Sequence, residues 1–293
     1  MVRAQHAGYG RGVVTIEVDD WYHPKDLCQK LRGLFTSAGY KPPMLPSAAL
    51  RLMELTRNPD VSYAEIRRVL DTEPMLAGQV LARAQSAALA GAVPPRSLDE
   101  ALTRLGLRAI SDLFLYESLN SRVFRVRGYE AVMKQLMLHS SATATLARAL
   151  GRQTAMPDEY LFLCGLLHDV GQAACLIAIA DGRRNAPALA PLWPSIREVH
   201  AGAAGVLARQ WKLPDDVVLV LEHHHSYRID GRVHPVAALV ALADELSRQL
   251  GFEVEGAEAA RELDPLLEAV GLSSATVDRV VRGASSALEA LRD

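Results

Sequence analysis

Seven of the nine histidines in this 293-residue chain fall between residues 139 and 234, and several aspartates accompany them. Neutral imidazoles and carboxylates are the groups that bind Fe, Mn, Zn or Ni in proteins. Burying either group is costly unless it is paired, hydrogen-bonded or bound to a cation. The pattern therefore predicts a metal site. Its candidate ligands are His139, His168, Asp169, His200, His224, His225 and Asp244.

Helical spacing places three of these candidates on buried faces. Leu221 precedes His224 by three residues and His225 by four, so both histidines are expected on the apolar side of one helix. Asp244 follows Val240 by four residues, which directs its carboxylate toward the core. Buried polar groups from different helices can relieve one another by sharing a cation, and an aspartate can bridge two ions.

Each candidate also has an ordinary structural explanation. His139 and His200 could be hydrogen-bonded core histidines. The triplet at residues 223–225 could cap the end of a helix, where the helix dipole favours imidazolium. Within it, His223 falls toward the polar side and is expected to be exposed, and Asp244 could pair with an arginine. The joint occurrence of these residues is what favours a metal site.

The elements that must position these side chains are predicted to be helices. Apolar residues recur at helical spacing through most of the chain. Ser62 is expected to cap one helix, and Ser97 and Ser195 stand in the S-x-x-E arrangement of a capping box. A short apolar run at residues 13–16 is a candidate strand. The sequence therefore predicts an all-α, multi-helix bundle that can include a short N-terminal β segment.

Three parts of the chain can be separated. Residues 1–41 form an N-terminal extension, residues 42–125 a first helical subdomain, and residues 126–293 a metal-binding helical subdomain with C-terminal helices. The second boundary follows the loop expected near residues 122–128, where one helical pattern ends and a longer one begins.

Composition narrows the function classes. With 32 Lys and Arg against 34 Asp and Glu, the net charge is −2, so no basic surface for specific nucleic-acid binding is indicated. The most apolar window, residues 161–180, contains His168, Asp169 and Gln172, which favours a buried helix over a membrane span. Residues 1–20 lack the apolar core of a signal peptide. A cytoplasmic protein without membrane partners is expected.

Several motifs resemble the HDOD (HD-related output domain) family of the HD superfamily of metal-dependent phosphohydrolases. The resemblance runs from about residue 42 to residue 244. It rests on Pro43-Met44-Leu45-Pro46, Asp71-Thr72-Glu73-Pro74, Ser97-Leu98-Asp99-Glu100-Ala101, Leu105-Gly106-Leu107 and Gly165-Leu166-Leu167-His168-Asp169-Val170-Gly171. It implies a bacterial signal-transduction protein with the all-α HD fold.

The resemblance also implies a ligand set. Many HDOD proteins have lost the metal ligands, whereas this chain resembles the HD-GYP phosphodiesterases in keeping the whole H…HD…H…HH…D pattern. One or two divalent ions are therefore expected, Fe or Mn ahead of Zn or Ni, with Asp169 as the bridge. Two features differ from that group: Gln172 replaces the basic residue after the HD pair, and the GYP loop is absent.

Three functions follow as hypotheses. The first is hydrolysis of a phosphoester or cyclic nucleotide through metal-bound hydroxide, with His168 and Asp169 as the catalytic pair. The second is a non-enzymatic output or scaffold module that binds a signalling protein. The third, less favoured, is oxygen chemistry at a di-iron site. The corresponding partners are a phosphate-containing small molecule or a signalling protein.

Overall fold

The computed structural model describes residues 24–56, 58, 60–85, 93–154, 156, 158–254, 256 and 260–292. The first helices are α1 (Pro24–Thr36), α2 (Ser47–Leu55), α3 (Tyr63–Leu70), α4 (Pro74–Ala84) and α5 (Leu98–Arg122). They are followed by α6 (Glu130–Gly151), α7 (Asp158–Leu167), α8 (Val170–Ala180), α9 (Trp193–Gln210) and α10 (Asp215–His223). The last are α11 (Pro235–Ser247), α12 (Leu263–Val270) and α13 (Ser274–Glu289).

Short elements connect some of these helices. A 3₁₀ turn, Ala190–Leu192, precedes α9, and a π-helical segment, Arg248–Phe252, continues α11. The strands β1 (Arg228–Ile229) and β2 (Arg232–Val233) pair antiparallel between α10 and α11. The all-α prediction is confirmed. The strand expected at residues 13–16 lies outside the described residues.

The helices that carry the candidate ligands pack on one another. Helix α6 contacts α7, α11 and α13, while α9 contacts α8, α10 and α1. Their shared surfaces are lined by small and branched apolar side chains, and α11 is buried from Val236 to Ser247. Because α6, α8, α9 and α11 converge in one core, polar side chains on their inner faces must meet there.

The N-terminal helices form a second packing group. Helices α2, α3 and α4 contact α5, which Gly106 interrupts with φ 82° and ψ 163°. The cap predicted at Ser62 is confirmed, because its hydroxyl accepts from Glu65 N while the Glu65 carboxylate accepts from Ser62 N. The division of the chain at residues 41 and 125 stays a prediction. Helix α1, from the expected extension, packs on α9.

The capping box predicted at Ser195 is wrong. Helix α9 begins at Trp193, so Ser195 lies in its first turn and is buried. Pro194 occupies the first turn, where its fixed φ suits a helix start and its missing N–H costs nothing. Glu198 pairs instead with Arg32 of α1, at 2.8 Å between Oε1 and Nη2. At Ser97 half of the expected box forms: Ser97 Oγ accepts from Glu100 N, but the Glu100 carboxylate accepts from Arg96 N and not from Ser97 N.

Among the residues that the structure describes, one stretch is long and apolar enough to cross a membrane. Tyr160–Ala180 has a mean hydropathy of 1.7, but 83% of the window is buried inside the protein. A core helix of a folded protein passes the same length and composition test. The burial agrees with the interpretation of this window as a core segment.

Candidate metal centre

The seven candidate ligands come from five places in the fold and converge. Helix α6 supplies His139, and the junction of α7 and α8 supplies His168 and Asp169. The others come from α9, from the end of α10 and from α11; they are His200, His224, His225 and Asp244. All are buried except His225, which is half-buried. His223 lies outside the cluster and faces Ser226. Their role as ligands stays a prediction.

Asp169 lies between two groups of histidines. Its Oδ2 is 3.6 Å from His139 Nε2 and 3.4 Å from His168 Nε2. Its Oδ1 is 3.4 Å from His200 Nε2 and 3.7 Å from His224 Nε2. Two sets of nitrogen and oxygen donors therefore share one carboxylate: His139, His168 and Asp169 in the first, and Asp169, His200, His224 and His225 in the second. This is the arrangement expected of a bridging aspartate.

Four histidines are oriented by backbone carbonyl groups. In each ring Nδ1 donates to a carbonyl oxygen, which leaves the lone pair on Nε2 directed into the cluster. The distances are 3.1 Å for His139 to Phe252 O, 2.8 Å for His168 to Gly165 O, 2.8 Å for His200 to Arg197 O and 2.7 Å for His224 to Leu221 O.

This orientation brings acceptors face to face. His139 Nε2 is 3.2 Å from both His168 Nε2 and Asp244 Oδ1. Among the described residues, His224 Nε2 and Asp169 Oδ1 are buried with no hydrogen bond. Lone pairs at such distances repel unless a proton or a cation lies between them. The donor set thus fits a divalent ion.

The protonation of the cluster without a metal follows the same logic. Burial opposes a charge on His168, but the neighbouring Asp169 and Asp244 carboxylates prevail and raise its pKa to about 9. Burial and the nearby His225 lower the pKa of His224 to about 3. Burial opposes ionisation of Asp169, yet His168 holds its pKa well below the usual range. A proton on His168 therefore occupies part of the space that a cation would fill.

His225 differs from the other histidines. Its Nδ1 lies 2.7 Å from Arg261 Nη2, and because a guanidinium only donates, this nitrogen accepts. A neutral His225 then carries its proton on Nε2 and donates to His200 Nε2, 2.7 Å away. In this tautomer His225 has no Nε2 lone pair to offer a metal. The second donor set is therefore complete only after Arg261 and His225 rearrange.

Two arginines that the sequence analysis did not single out border the cluster. Arg261 Nη2 is 2.9 Å from Asp244 Oδ2, and Arg248 Nε is 3.5 Å from Asp244 Oδ1. The buried Glu245 holds both, by accepting from Arg248 Nη2 at 2.9 Å and from Arg261 N at 3.0 Å. The i, i+4 spacing of Asp244 and Arg248 was a usable signal. Arg261 lies in the non-helical stretch of residues 260–262, for which the sequence gives no periodic signal.

A small cavity adjoins the cluster, and we call it the mouth. Its volume is about 10 Å³, and it is lined by His139, Asp169, Gln172, His225, Asp244, Arg248 and Val254. That volume is close to the minimum that holds one water molecule. Gln172, which stands where a basic residue was expected, is 2% exposed at this mouth. In this conformation the opening is too small for a phosphoester, so a substrate could reach the cluster only if lining side chains such as Arg248 or Val254 moved.

A glycine keeps two ligand-bearing helices together. At Gly171, in the first turn of α8, a Cβ would collide with the carbonyl oxygen of His200 and lie 2.7 Å from Ala204 N. The backbones of α8 and α9 therefore touch beside Asp169 and His200. Close backbone approach of this kind requires a residue without a side chain.

The fold and the donor cluster together define an all-α protein with a buried His/Asp centre that could bind a metal. The chain belongs to the HDOD domain family, which matches residues 43–227. The resemblance seen in the sequence is thereby confirmed. An uncharacterized protein of Treponema pallidum is 29% identical over 237 residues, which cover 75% of this chain and 45% of that protein. The chain thus spans less than half the length of this curated relative.

Solved structures share the fold at low sequence identity. An HDOD domain protein of unknown function from Geobacter sulfurreducens superposes with a TM-score of 0.68 at 19% identity, covering 91% of this chain and 95% of its own. A protein from Shewanella amazonensis, assigned provisionally as a metal-dependent phosphohydrolase, has a TM-score of 0.67 at 18% identity and covers 92% and 99%. At these identities the likeness concerns the fold.

Proposed function

We propose that this chain is a cytoplasmic signal-transduction protein whose His/Asp centre binds one or two divalent ions and hydrolyses a phosphoester or cyclic nucleotide. The observation that carries the proposal is Asp169, whose two oxygens face separate groups of histidines. The provisional assignment of the Shewanella structure as a metal-dependent phosphohydrolase agrees with it. Iron or manganese is the first expectation and zinc or nickel the second, because all suit imidazole and carboxylate ligands.

The residues of this chain have distinct tasks in the proposed reaction. His139, His168, Asp169 and Asp244 would hold the first ion, and Asp169, His200, His224 and, once it has rearranged, His225 would hold a second. Divalent ions supply a Lewis acid and make bound water more acidic. His168 must lose its proton before it can bind an ion.

Arg248 and Arg261 would contact the phosphate. Gln172 cannot supply the cation that a basic residue after the HD pair would provide, whereas Arg248 lines the mouth and Arg261 contacts two of its lining residues, Asp244 and His225. Asp244 and Glu245 orient both arginines, and guanidinium forks match phosphate oxygens in geometry. Arg248 also narrows the mouth, so substrate binding would require it to turn away from Asp244.

A specific observation favours a second candidate, a non-enzymatic output module. The 10 Å³ mouth admits no substrate in this conformation, and Arg261 holds His225 in the tautomer that cannot bind a metal. In that case the cluster would stabilise the fold, with one ion or none, and a helical surface would bind a signalling protein.

Metal content and hydrolysis distinguish the two. Protein purified without chelator is analysed for Fe, Mn, Zn and Ni, and then assayed with bis-p-nitrophenyl phosphate and cyclic dinucleotides. Asp169→Asn keeps the shape of the side chain and removes its charge, while Asp278→Asn on the exposed face of α13 is the matched control. The proposal requires metal and turnover in the wild type and the control, and loss of both in Asp169→Asn. Stoichiometric metal without turnover would support the output module, and turnover that survives Asp169→Asn would exclude this site.

A further inference from the structure

A second concave site lies away from the metal centre. A cavity of about 580 Å³ opens between the α5–α6 loop and the loop that follows α8. Helix α8 separates the two sites, since Asp169 precedes its first residue and Ala180, at its last, lines the cavity. Eleven helical residues place them about 16 Å apart.

Arginines dominate the walls of this cavity. Arg125 and Arg127 come from one loop and Arg183 and Arg184 from the other, against two carboxylates, Glu130 and Asp181. Four positive and two negative charges leave a local balance of 4 − 2 = +2, in a chain whose net charge is −2. A concave surface of one sign concentrates ligands of the opposite sign.

The two loops are fixed to each other. Tyr129 Oη donates to Pro187 O at 2.9 Å, and the Glu130 carboxylate accepts from Gly128 N at 3.0 Å. Gly128, at φ 87°, lies so close to Ala186 that a Cβ would come within 2.6 Å of the alanine Cβ. The loops that carry the arginines are therefore held in place before a ligand binds, which lowers the entropy cost of binding.

One arginine is partly withdrawn from water. Arg183 is half-buried beside Tyr129, and burial lowers the pKa of its guanidinium. The first turn of α6 begins at Glu130 on the same wall, so the positive end of a 22-residue helix adds to the field. Ile177, Ala180 and Ala186 contribute an apolar patch beside the charges.

We infer that this cavity binds a nucleotide that bears two or more phosphates, at a site distinct from the metal centre. The volume falls in the range of small-molecule sites. Guanidinium groups from two loops suit a diphosphate better than a single phosphate, because both loops can then bond one ligand. The apolar patch would receive the base.

The experiment measures binding of GDP, ADP and pyrophosphate to the whole chain by isothermal titration calorimetry. Arg183→Gln, and separately the more exposed Arg127→Gln, should each weaken binding about tenfold. Arg228→Gln and Arg232→Gln in the β-hairpin remove the same charge elsewhere and should change affinity by less than about twofold. Inorganic phosphate alone should bind more weakly than pyrophosphate.

The same titration in Asp169→Asn separates this site from the metal centre. The inference requires that binding persists in that variant. It is overturned if none of the probes binds at millimolar concentration, if the hairpin variants lose as much affinity as Arg183→Gln and Arg127→Gln, or if Asp169→Asn alone abolishes binding. Because the arginine cavity does not depend on metal, its failure and the failure of the proposed hydrolysis are separate results.

Discussion

The Arg261 guanidinium bridges Asp244 and His225, with Nη2 2.9 Å from Asp244 Oδ2 and 2.7 Å from His225 Nδ1. One side chain thus neutralises the Asp244 carboxylate beside the first donor set and fixes the tautomer of His225 in the second. The positive charge of Arg261 lies beside this second donor set and would repel a divalent ion bound there. Arg261 and a second ion therefore compete for the same negative charge and the same histidine.

Arg261→Gln should strengthen binding of the second equivalent of metal. Removal of the guanidinium lifts the repulsion and frees His225 to present a lone pair, so we expect affinity to rise about fivefold or more. Competition with a chromophoric chelator measures it. Arg279→Gln, on the exposed face of α13, removes the same charge at a distance and should have no effect. Weaker metal binding in Arg261→Gln would show that the arginine supports the ligands instead.

His224→Gln should lower metal affinity while His223→Gln should not. The neighbours differ in position alone: His224 is buried with Nε2 facing Asp169, and His223 faces Ser226. Loss of one ligand should cost about ten- to a hundredfold in affinity. Metal-to-protein ratios after dialysis against a weak chelator provide the readout. Equal losses in both variants would contradict the assignment.

Gly171→Ala should destabilise the protein and Gly202→Ala should not. A Cβ at 171 collides with His200 O, whereas a Cβ at 202, also helical, meets nothing within 4 Å. Overpacking costs about 1–3 kcal/mol, and replacing an exposed helical glycine by alanine gains up to about 1 kcal/mol. The Tm of Gly171→Ala should therefore fall, and the Tm of Gly202→Ala should rise. An unchanged Tm for Gly171→Ala would mean that α8 and α9 are farther apart.

The stability of the metal-free protein should fall as the pH rises from about 7 to about 9. The neighbouring carboxylates overcome burial and raise the pKa of His168 to about 9, above the value of about 6.5 in an unfolded chain. A raised pKa stabilises the fold below the unfolded value, and that contribution is lost as pH passes the folded value. Tm measured with chelator tests this. His168→Gln should remove the slope, and a slope that persists in it would have another origin.

Saturating metal should change that dependence. An ion bound to His168 displaces its proton, so metal binding is favoured as pH rises over the same range. The Tm of the loaded protein should therefore stay level or increase from about pH 7 to about pH 9. Parallel curves with and without metal would show that the ion binds elsewhere.

Helical spacing was sufficient to predict where most of the cluster would lie. Asp244 is buried because it follows Val240 by four positions within α11, where the side-chain direction is fixed by geometry. His224 caps the C-terminus of α10 with helical φ and ψ, so the same argument holds for its spacing from Leu221. His225 was also placed toward the core, yet it lies one residue beyond this cap and outside α10. Its half-buried position and its bond to Arg261 depend on tertiary contacts.

The remaining differences have the same cause. Arg261 lies in the non-helical residues 260–262, and its contact with Asp244 follows no residue period. Ser195 has the spacing of a cap, but α9 begins two residues earlier, at Trp193, and Glu198 pairs with Arg32, 166 residues away in sequence. Local patterns predict local geometry, and contacts across the chain are selected by packing.

Helix α1 lies ahead of the HDOD match, which begins at residue 43, yet its buried Leu27 and Leu31 belong to the same core as α9. A chimeric protein joined at residue 43 would lack α1, which packs on α9, the helix that carries His200. The apolar surface that α1 covers would then face water. For domain exchange in this chain, the junction belongs before residue 24. The transferable unit is therefore larger than the family match.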